Sequence, residues 1–324
     1  MKADKIIARR LAAKEEALAD VPKIGITQLI KIARGLSKPY RVTDGKRFRL
    51  KDVDPGDTLD FTPEDKTRAN EALALGVDAL AELQDRLYAQ HNWAVLLIFQ
   101  AMDAAGKDGA VKHVMSGVNP QGCVVYSFKA PSNEDLDHDF LWRCATRVPE
   151  RGRIGIFNRS YYEETLVARV HPELLDRQRL PPGLIGKDIW KQRHQDICGF
   201  ERYLTRNGIA VCKFFLHISK HEQKKRLLAR VEEPEKCWKF SPADVDERSF
   251  WKDYMHAYED TVRHTATEQA PWYVVPADNK WFTRLVVASA VIETLARLDL
   301  DYPNLDKTSL KAFGAAKRAL LATK

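Results

Sequence analysis

No run of about 18 apolar residues occurs anywhere in the chain, so the sequence offers no membrane-spanning helix. The first twenty residues, MKADKIIARRLAAKEEALAD, scatter charge throughout and contain no apolar h-region, which argues against a secretory signal. Cysteine is scarce. Cys123, Cys144, Cys198, Cys212 and Cys237 are odd in number and never spaced as CxxC, so neither a disulfide framework nor a zinc knuckle is expected. His217 and His221 stand four apart with Glu222 after the second rather than between them, so no HExxH zinc site is present. Internal repeats and low-complexity stretches are missing too. Together these absences point to a cytoplasmic protein with reduced thiols and no membrane partner.

The 324 residues are 44% hydrophobic and 30% charged, enough apolar material for a large core. Net charge is +7, from 52 basic and 45 acidic side chains. That mild excess suits an anionic ligand but is too small and too dispersed for nucleic acid.

Residues 1–39 read as a helical extension, followed by a strand-and-turn stretch, YRVTDGKRFRLKDVDPGDT. Thr62 and Pro63 mark a helix start, and Leu73, Val77, Leu80, Leu83 and Leu87 recur at helical spacing behind them. Beyond this helix, near-continuous apolar runs at 94–100, 123–128, 153–157, 210–218 and 271–276 alternate with helical stretches. That pattern predicts an α/β fold with a parallel five-stranded sheet covered by helices on both faces.

The first of these runs ends in Gln100-Ala101-Met102-Asp103-Ala104-Ala105-Gly106-Lys107-Asp108-Gly109 and opens a helix. A strand, a small-residue turn and a helix N-terminus aim successive N–H groups at one anion, as in a P-loop. Ala105, Gly106, Lys107, Asp108 and Gly109 are therefore candidate phosphate ligands. Ala101 and Asp108 depart from G-x-x-x-x-G-K-[ST]. Asp103 would repel a bound phosphate unless a cation lay between them, which makes it a candidate metal ligand. The third run delivers Asn158-Arg159-Ser160 and, a short helical reach onward, Glu163. These residues are candidates for nucleotide binding, with Asn158 and Glu163 as further metal ligands and Arg159 catalytic, against the plain reading of a capped turn. After the fourth run, Arg226 and Arg230 share a helix face, and Lys236 and Lys239 follow near Trp238. A lid that carries arginine to phosphate and a solvated, salt-bridged helix both fit this stretch. Lys112, His113 and Lys129 add charge near the loop or on an open face, and Trp238 and Trp251 read as packing residues.

The stretches YRVTDGKRFRL, AMDAAGKDGAVKHVMSGVNPQG, SFKAPSNEDLDHDFLWR, GIFNRSYYEETLVARV, KFFLHIS and the run from Glu233 to Trp281 resemble the type 2 polyphosphate kinases, in that family's order and spacing. The resemblance runs from about residue 40 to about residue 303. It implies a thymidylate-kinase-like P-loop fold over 40–303, with a helical lid at about 219–265 and a tail at 304–324. It implies inorganic polyphosphate as donor, nucleoside mono- and diphosphates as acceptors, Mg²⁺ (or Mn²⁺) as cofactor and a homo-dimer or homo-tetramer. Asp103 and Lys107 match the family's essential loop residues, and Arg230 matches its lid arginine. Asn158 stands where many members carry Asp, and looks like the subgroup that accepts both AMP and ADP. An ATP-dependent nucleotide kinase on the same scaffold is the alternative, and a non-catalytic polyanion-binding protein is the rival from another class.

Overall fold

The run Ala94–Ala101 has no polar alternation, and Val95, Leu96, Leu97 and Ile98 have no solvent exposure. Burying each such side chain stabilises the fold by roughly 1.5–3 kcal/mol, so this strand lies at the centre. The computed structural model describes residues 25–304 and 306–322; most of the expected 1–39 extension lies outside them. In chain order the elements are α1 (Ile26–Ser37), β1 (Arg41–Val42), α2 (Lys66–Gln90), β2 (Ala94–Ala101), α3 (Lys107–Val114), β3 (Cys123–Ser127), β4 (Ile154–Asn158) and α4 (Ile189–Arg206). Then come β5 (Ile209–His217), α5 (Lys220–Glu232), α6 (Ala243–Glu247), α7 (Trp251–Thr265), β6 (Trp272–Pro276), α8 (Lys280–Ala296) and α9 (Lys307–Ala322). Single-turn helices are left unlabelled.

The sheet order is β1-β6-β5-β2-β4-β3. Five strands are parallel, as the apolar runs predict, and a two-residue sixth, β1, pairs antiparallel with β6. So short an edge strand carries no periodicity a sequence could display. Thr62 and Asp65 form a reciprocal capping box ahead of α2, with Pro63 between them. Leu80, Leu83 and Leu87 face inward from α2, and α8 packs against both α2 and α1.

One residue breaks the apolar pattern of β5. Lys213 is fully buried, and its ammonium donates to Glu201 Oε2 at 2.6 Å, Thr265 O at 2.8 Å and the Tyr162 hydroxyl at 3.1 Å. All three donors are satisfied, which is what makes the burial tolerable. β2 lies between β4 and β5, and from β2 the chain runs on to β3 in one direction along the sheet, whereas from β5 it runs to β6 in the other. In open α/β sheets such a divergence makes the crevice where ligands bind. Among the described residues, no helix is long and apolar enough to cross a membrane.

Candidate active site

Between β2 and α3 the backbone turns through two left-handed residues, Ala104 (φ 62°) and Gly106 (φ 106°). Glycine adopts that region freely, whereas alanine there stores about 1–2 kcal/mol that surrounding contacts must offset. Gly106 caps α3 without a side-chain hydrogen bond. The Ala105 N–H turns back to Met102 O (3.3 Å) and the Ala110 N–H reaches Gly106 O (3.0 Å). The N–H groups of Ala104, Gly106, Lys107, Asp108 and Gly109 find no acceptor among the described residues. An alternation of helical and left-handed residues capped by a helix N-terminus is an anion nest. Lys107 Nζ rests on Ala101 O at 3.0 Å, and burial lowers its pKa against the opposing charge of Asp103.

β4 ends beside this turn. Asn158 Nδ2 donates to Asp108 Oδ1 at 2.7 Å, so the two departures, Asp108 in the loop and Asn158 at the strand end, are partners. Arg159 is also left-handed (φ 64°), held by its N–H on Phe99 O at 3.0 Å. Its guanidinium meets Asp103 Oδ1 at 3.3 Å and Glu163 Oε2 at 3.5 Å. Gln100, with its amide set to satisfy both neighbours, donates to Glu163 Oε1 at 2.9 Å and accepts from Ser160 Oγ at 3.2 Å. Burial pushes the Glu163 carboxyl up, opposed by Arg159 and Lys107.

Asp103, Ala105, Gly106, Lys107, Asp108, Gly109, Asn158, Arg159, Arg226 and Arg230 all line one cleft of about 570 Å³. Ser160, Glu163 and Lys112 do not. Ser160 is fully buried and caps the turn Tyr161–Glu164 through the Tyr162 N–H (3.1 Å). Glu163 sits behind Arg159 rather than on the cleft wall. Lys112, one turn beyond Asp108 on α3, is exposed and does not line the cleft. Arg226 reaches the cleft but has no donor to spare. Its five N–H bonds go to Glu222 Oε1 (2.8 Å), Ala104 O (3.2 Å), Ala105 O (2.8 Å), Ala277 O (2.7 Å) and Asp278 O (2.8 Å). Its neighbour Arg230 donates to Asp244 Oδ2 at 2.8 Å and to Lys239 O at 3.3 Å at the cleft edge. Trp251 packs on the core as expected, but Trp238 does not: it is 77% exposed, with the Lys239 ammonium 4.9 Å from its ring centre.

Lys280 and Arg284 on the cleft wall were not singled out from the sequence. A signal existed. Both lie in the first turns of α8, where the helix dipole disfavours cations, so their placement there calls for an anion nearby. Burial lowers both pKa values. With Lys129, Lys236 and Lys239 they carry positive charge well beyond the turn itself.

The oxygens of Asp103 and Asp108 and the carbonyl of Asn158 are hard donors of the kind Mg²⁺ or Mn²⁺ takes. Asp103 and Asp108 bring two carboxylates to the cleft lining, a number Mg²⁺ takes alongside substrate phosphates. A second group, His194, Asp260 and His264, has ligand atoms within 4.8 Å of one another. Its imidazoles stack parallel (3° between planes), so their in-plane lone pairs do not converge on one point.

A phosphate nest at the end of a central parallel strand, a second strand supplying arginine and a basic helical cover define a P-loop-type phosphotransferase. The family model described as Polyphosphate kinase 2 (PPK2) matches residues 63–302, and the chain belongs to that family. It is 49% identical over 290 residues to the ADP-polyphosphate phosphotransferase of Rhodopseudomonas palustris, covering 88% of this chain and 98% of the relative. It is 44% identical over 274 residues to the AMP/ADP-polyphosphate phosphotransferase of Meiothermus ruber, covering 85% and 98%. Among solved structures, Polyphosphate Kinase 2 from Arthrobacter aurescens superposes with a TM-score of 0.79 at 41% identity, covering 89% of this chain and 97% of that one.

Proposed function

We propose that this protein transfers the terminal phosphoryl group of inorganic polyphosphate to a nucleoside mono- or diphosphate, making ADP from AMP and ATP from ADP, with guanine nucleotides as further acceptors. The observation that carries this reading is the reach of the basic lining. Lys236, Lys239, Lys280 and Arg284 extend the positive wall beyond the nest at Ala104–Gly109, which suits a long polyanion better than a single triphosphate.

The acceptor's terminal phosphate oxygen is already ionised at neutral pH, so the reaction asks for no strong general base. That oxygen attacks the terminal phosphorus in line; the bond to the bridging oxygen of the shortened polyphosphate breaks, and the electron pair stays on that oxygen. The work left to the protein is alignment and charge neutralisation. The nest N–H groups and Lys107 bind the transferring group, Arg159 spans the donor and acceptor sides, and the Arg230 side chain swings from Asp244 onto the phosphates. Mg²⁺ or Mn²⁺, held by Asp103 with Asp108 or the Asn158 carbonyl, would supply further neutralisation there. Glu163 then serves by orienting Arg159, a role its position behind that residue supports.

Residues 40–303 act as the phosphotransferase domain, with 219–265 as its lid. A cytoplasmic homo-dimer or homo-tetramer is supported by five free cysteines and by exposed Leu310, Phe313 and Leu321 on α9; a monomer mass in light scattering would remove the oligomer.

The test is ³¹P NMR of long-chain polyphosphate and Mg²⁺ with AMP, ADP or GDP. Polyphosphate should shorten as ATP grows from ADP, and AMP should yield ADP and then ATP. Intact polyphosphate beside active ATP-dependent transfer would assign the ATP-dependent kinase instead. Inert AMP beside active ADP would remove the dual-acceptor reading attached to Asn158.

A further inference from the structure

Three consecutive carbonyls of the nest, those of Asp103, Ala104 and Ala105, are held by two side chains of α5. Gln223 Nε2 donates to Asp103 O at 3.1 Å, and Arg226 Nη1 donates to Ala104 O at 3.2 Å and Ala105 O at 2.8 Å. Both side chains are buried, at 1% and 8% exposure. Neither is free to turn elsewhere. The other Arg226 nitrogens hold Ala277 O and Asp278 O after β6 and Glu222 on α5 itself. The Gln223 Oε1 accepts from Arg248 at 2.9 Å, and that guanidinium also donates to Lys220 O at 2.8 Å, which fixes the amide.

A trans peptide sets the carbonyl of one residue antiparallel to the N–H of the next. Drawing the carbonyls of Asp103 and Ala105 towards α5 therefore turns the N–H groups of Ala104 and Gly106 the opposite way, and these are two of the nest donors without an acceptor. The same contacts hold Ala104 in its left-handed conformation (φ 62°), which its Cβ disfavours.

We infer that Gln223 and Arg226 are positioning residues that aim the amide donors of the nest, and that Arg226 makes no contact with phosphate. The inference rests on the reading that this nest holds the transferring phosphoryl. Binding of the long polyanion is spread over the basic wall, whereas transfer depends on the aim of a few N–H groups. Loosening the aim lowers turnover far more than it weakens binding.

Two variants test this, Gln223→Leu and Arg226→Lys, in the full-length protein. Gln223→Leu removes the hydrogen bond to Asp103 O together with the one accepted from Arg248, and should lower kcat about tenfold, with KM for polyphosphate within about twofold. Arg226→Lys keeps the charge but cannot span four carbonyls, and should lower kcat by roughly 10²-fold without altering the salt dependence of KM. Both should speed hydrogen exchange of the Ala105 and Ala110 amides, which close the turn on Met102 O and Gly106 O, in the absence of substrate. Arg226→Lys with normal kcat and a raised KM would make Arg226 a phosphate ligand and overturn the inference. Wild-type kcat and exchange in Gln223→Leu would overturn it as well, and that variant carries the test alone where Arg226→Lys fails to fold. A wild-type protein that makes no product removes the reading of the nest, while the exchange comparison still reports on the aim of its amides.

Discussion

Lys107 is the residue whose ionisation the site leans on most directly. Burial lowers its pKa from the ordinary 10.5, and the charges of Asp103 and Glu163 oppose that shift. A lowered lysine pKa means the positive charge is lost as pH rises, sooner than for a free lysine. The kcat/KM for polyphosphate should therefore fall on the alkaline side, and Lys107→Arg should push that limb upward while lowering activity overall. Identical alkaline limbs in the two proteins would place the titrating group elsewhere. Asp103 and Lys107 were legible in the sequence because their chemistry is odd in place: a carboxylate inside an anion turn, and a lysine at a helix start. Ser160, Glu163 and Arg226 were harder. Which acceptors a side chain satisfies is decided across space, by the Tyr162 N–H, by Arg159 and by four distant carbonyls, and no spacing encodes that.

At the level of elements, the five parallel strands were readable because each is a continuous apolar run, and α2 because its apolar positions repeat at helical spacing. β1 was not, being two residues long, and Lys213 hides inside an apolar run because its partners come from α4, α7 and the turn after β4. The cover formed by α5, α6 and α7 splits into two parts. Its base is fastened to the nest by Gln223 and Arg226, while Arg230, one turn further along, is held by the Asp244 carboxylate and the Lys239 carbonyl. Contacts of that intermediate burial contribute on the order of 1 kcal/mol, so Arg230→Ala should shift the thermal midpoint by no more than a few °C. Turnover is another matter: losing a lid arginine should lower kcat by on the order of 10³. A stable Arg230→Ala protein with full turnover would show that this side chain never reaches the phosphates.

For the molecule as a whole, acid is the condition to which the fold should respond most. His194 and His217 are both buried, and burial takes each from the ordinary 6.5 to about 4. The folded state thus binds fewer protons than the unfolded chain between those values. Stability from these two groups is complete above about pH 6.5 and is lost as pH falls towards 4, each contributing on the order of 3 kcal/mol. Urea midpoints measured from pH 7 to pH 4.5 should fall, and His217→Asn should flatten the decline; a flat wild-type profile would contradict the assignment. The same whole-molecule view explains why the proposed site falls in one cleft. The nest, Arg159 and the basic wall come from the ends of β2, β4 and β6 and from α5, which converge only at the carboxyl edge of the sheet.

The most direct measurement compares polyphosphate-dependent ATP formation from ADP by the wild-type protein and by Asp103→Asn. That variant keeps the shape of the turn and removes the carboxylate charge that faces Arg159 and would hold the cation. The wild type should convert ADP to ATP with matching loss of polyphosphate, and Asp103→Asn should be slower by several orders of magnitude at an unchanged thermal midpoint. Equal rates in the two proteins would contradict the account at its centre.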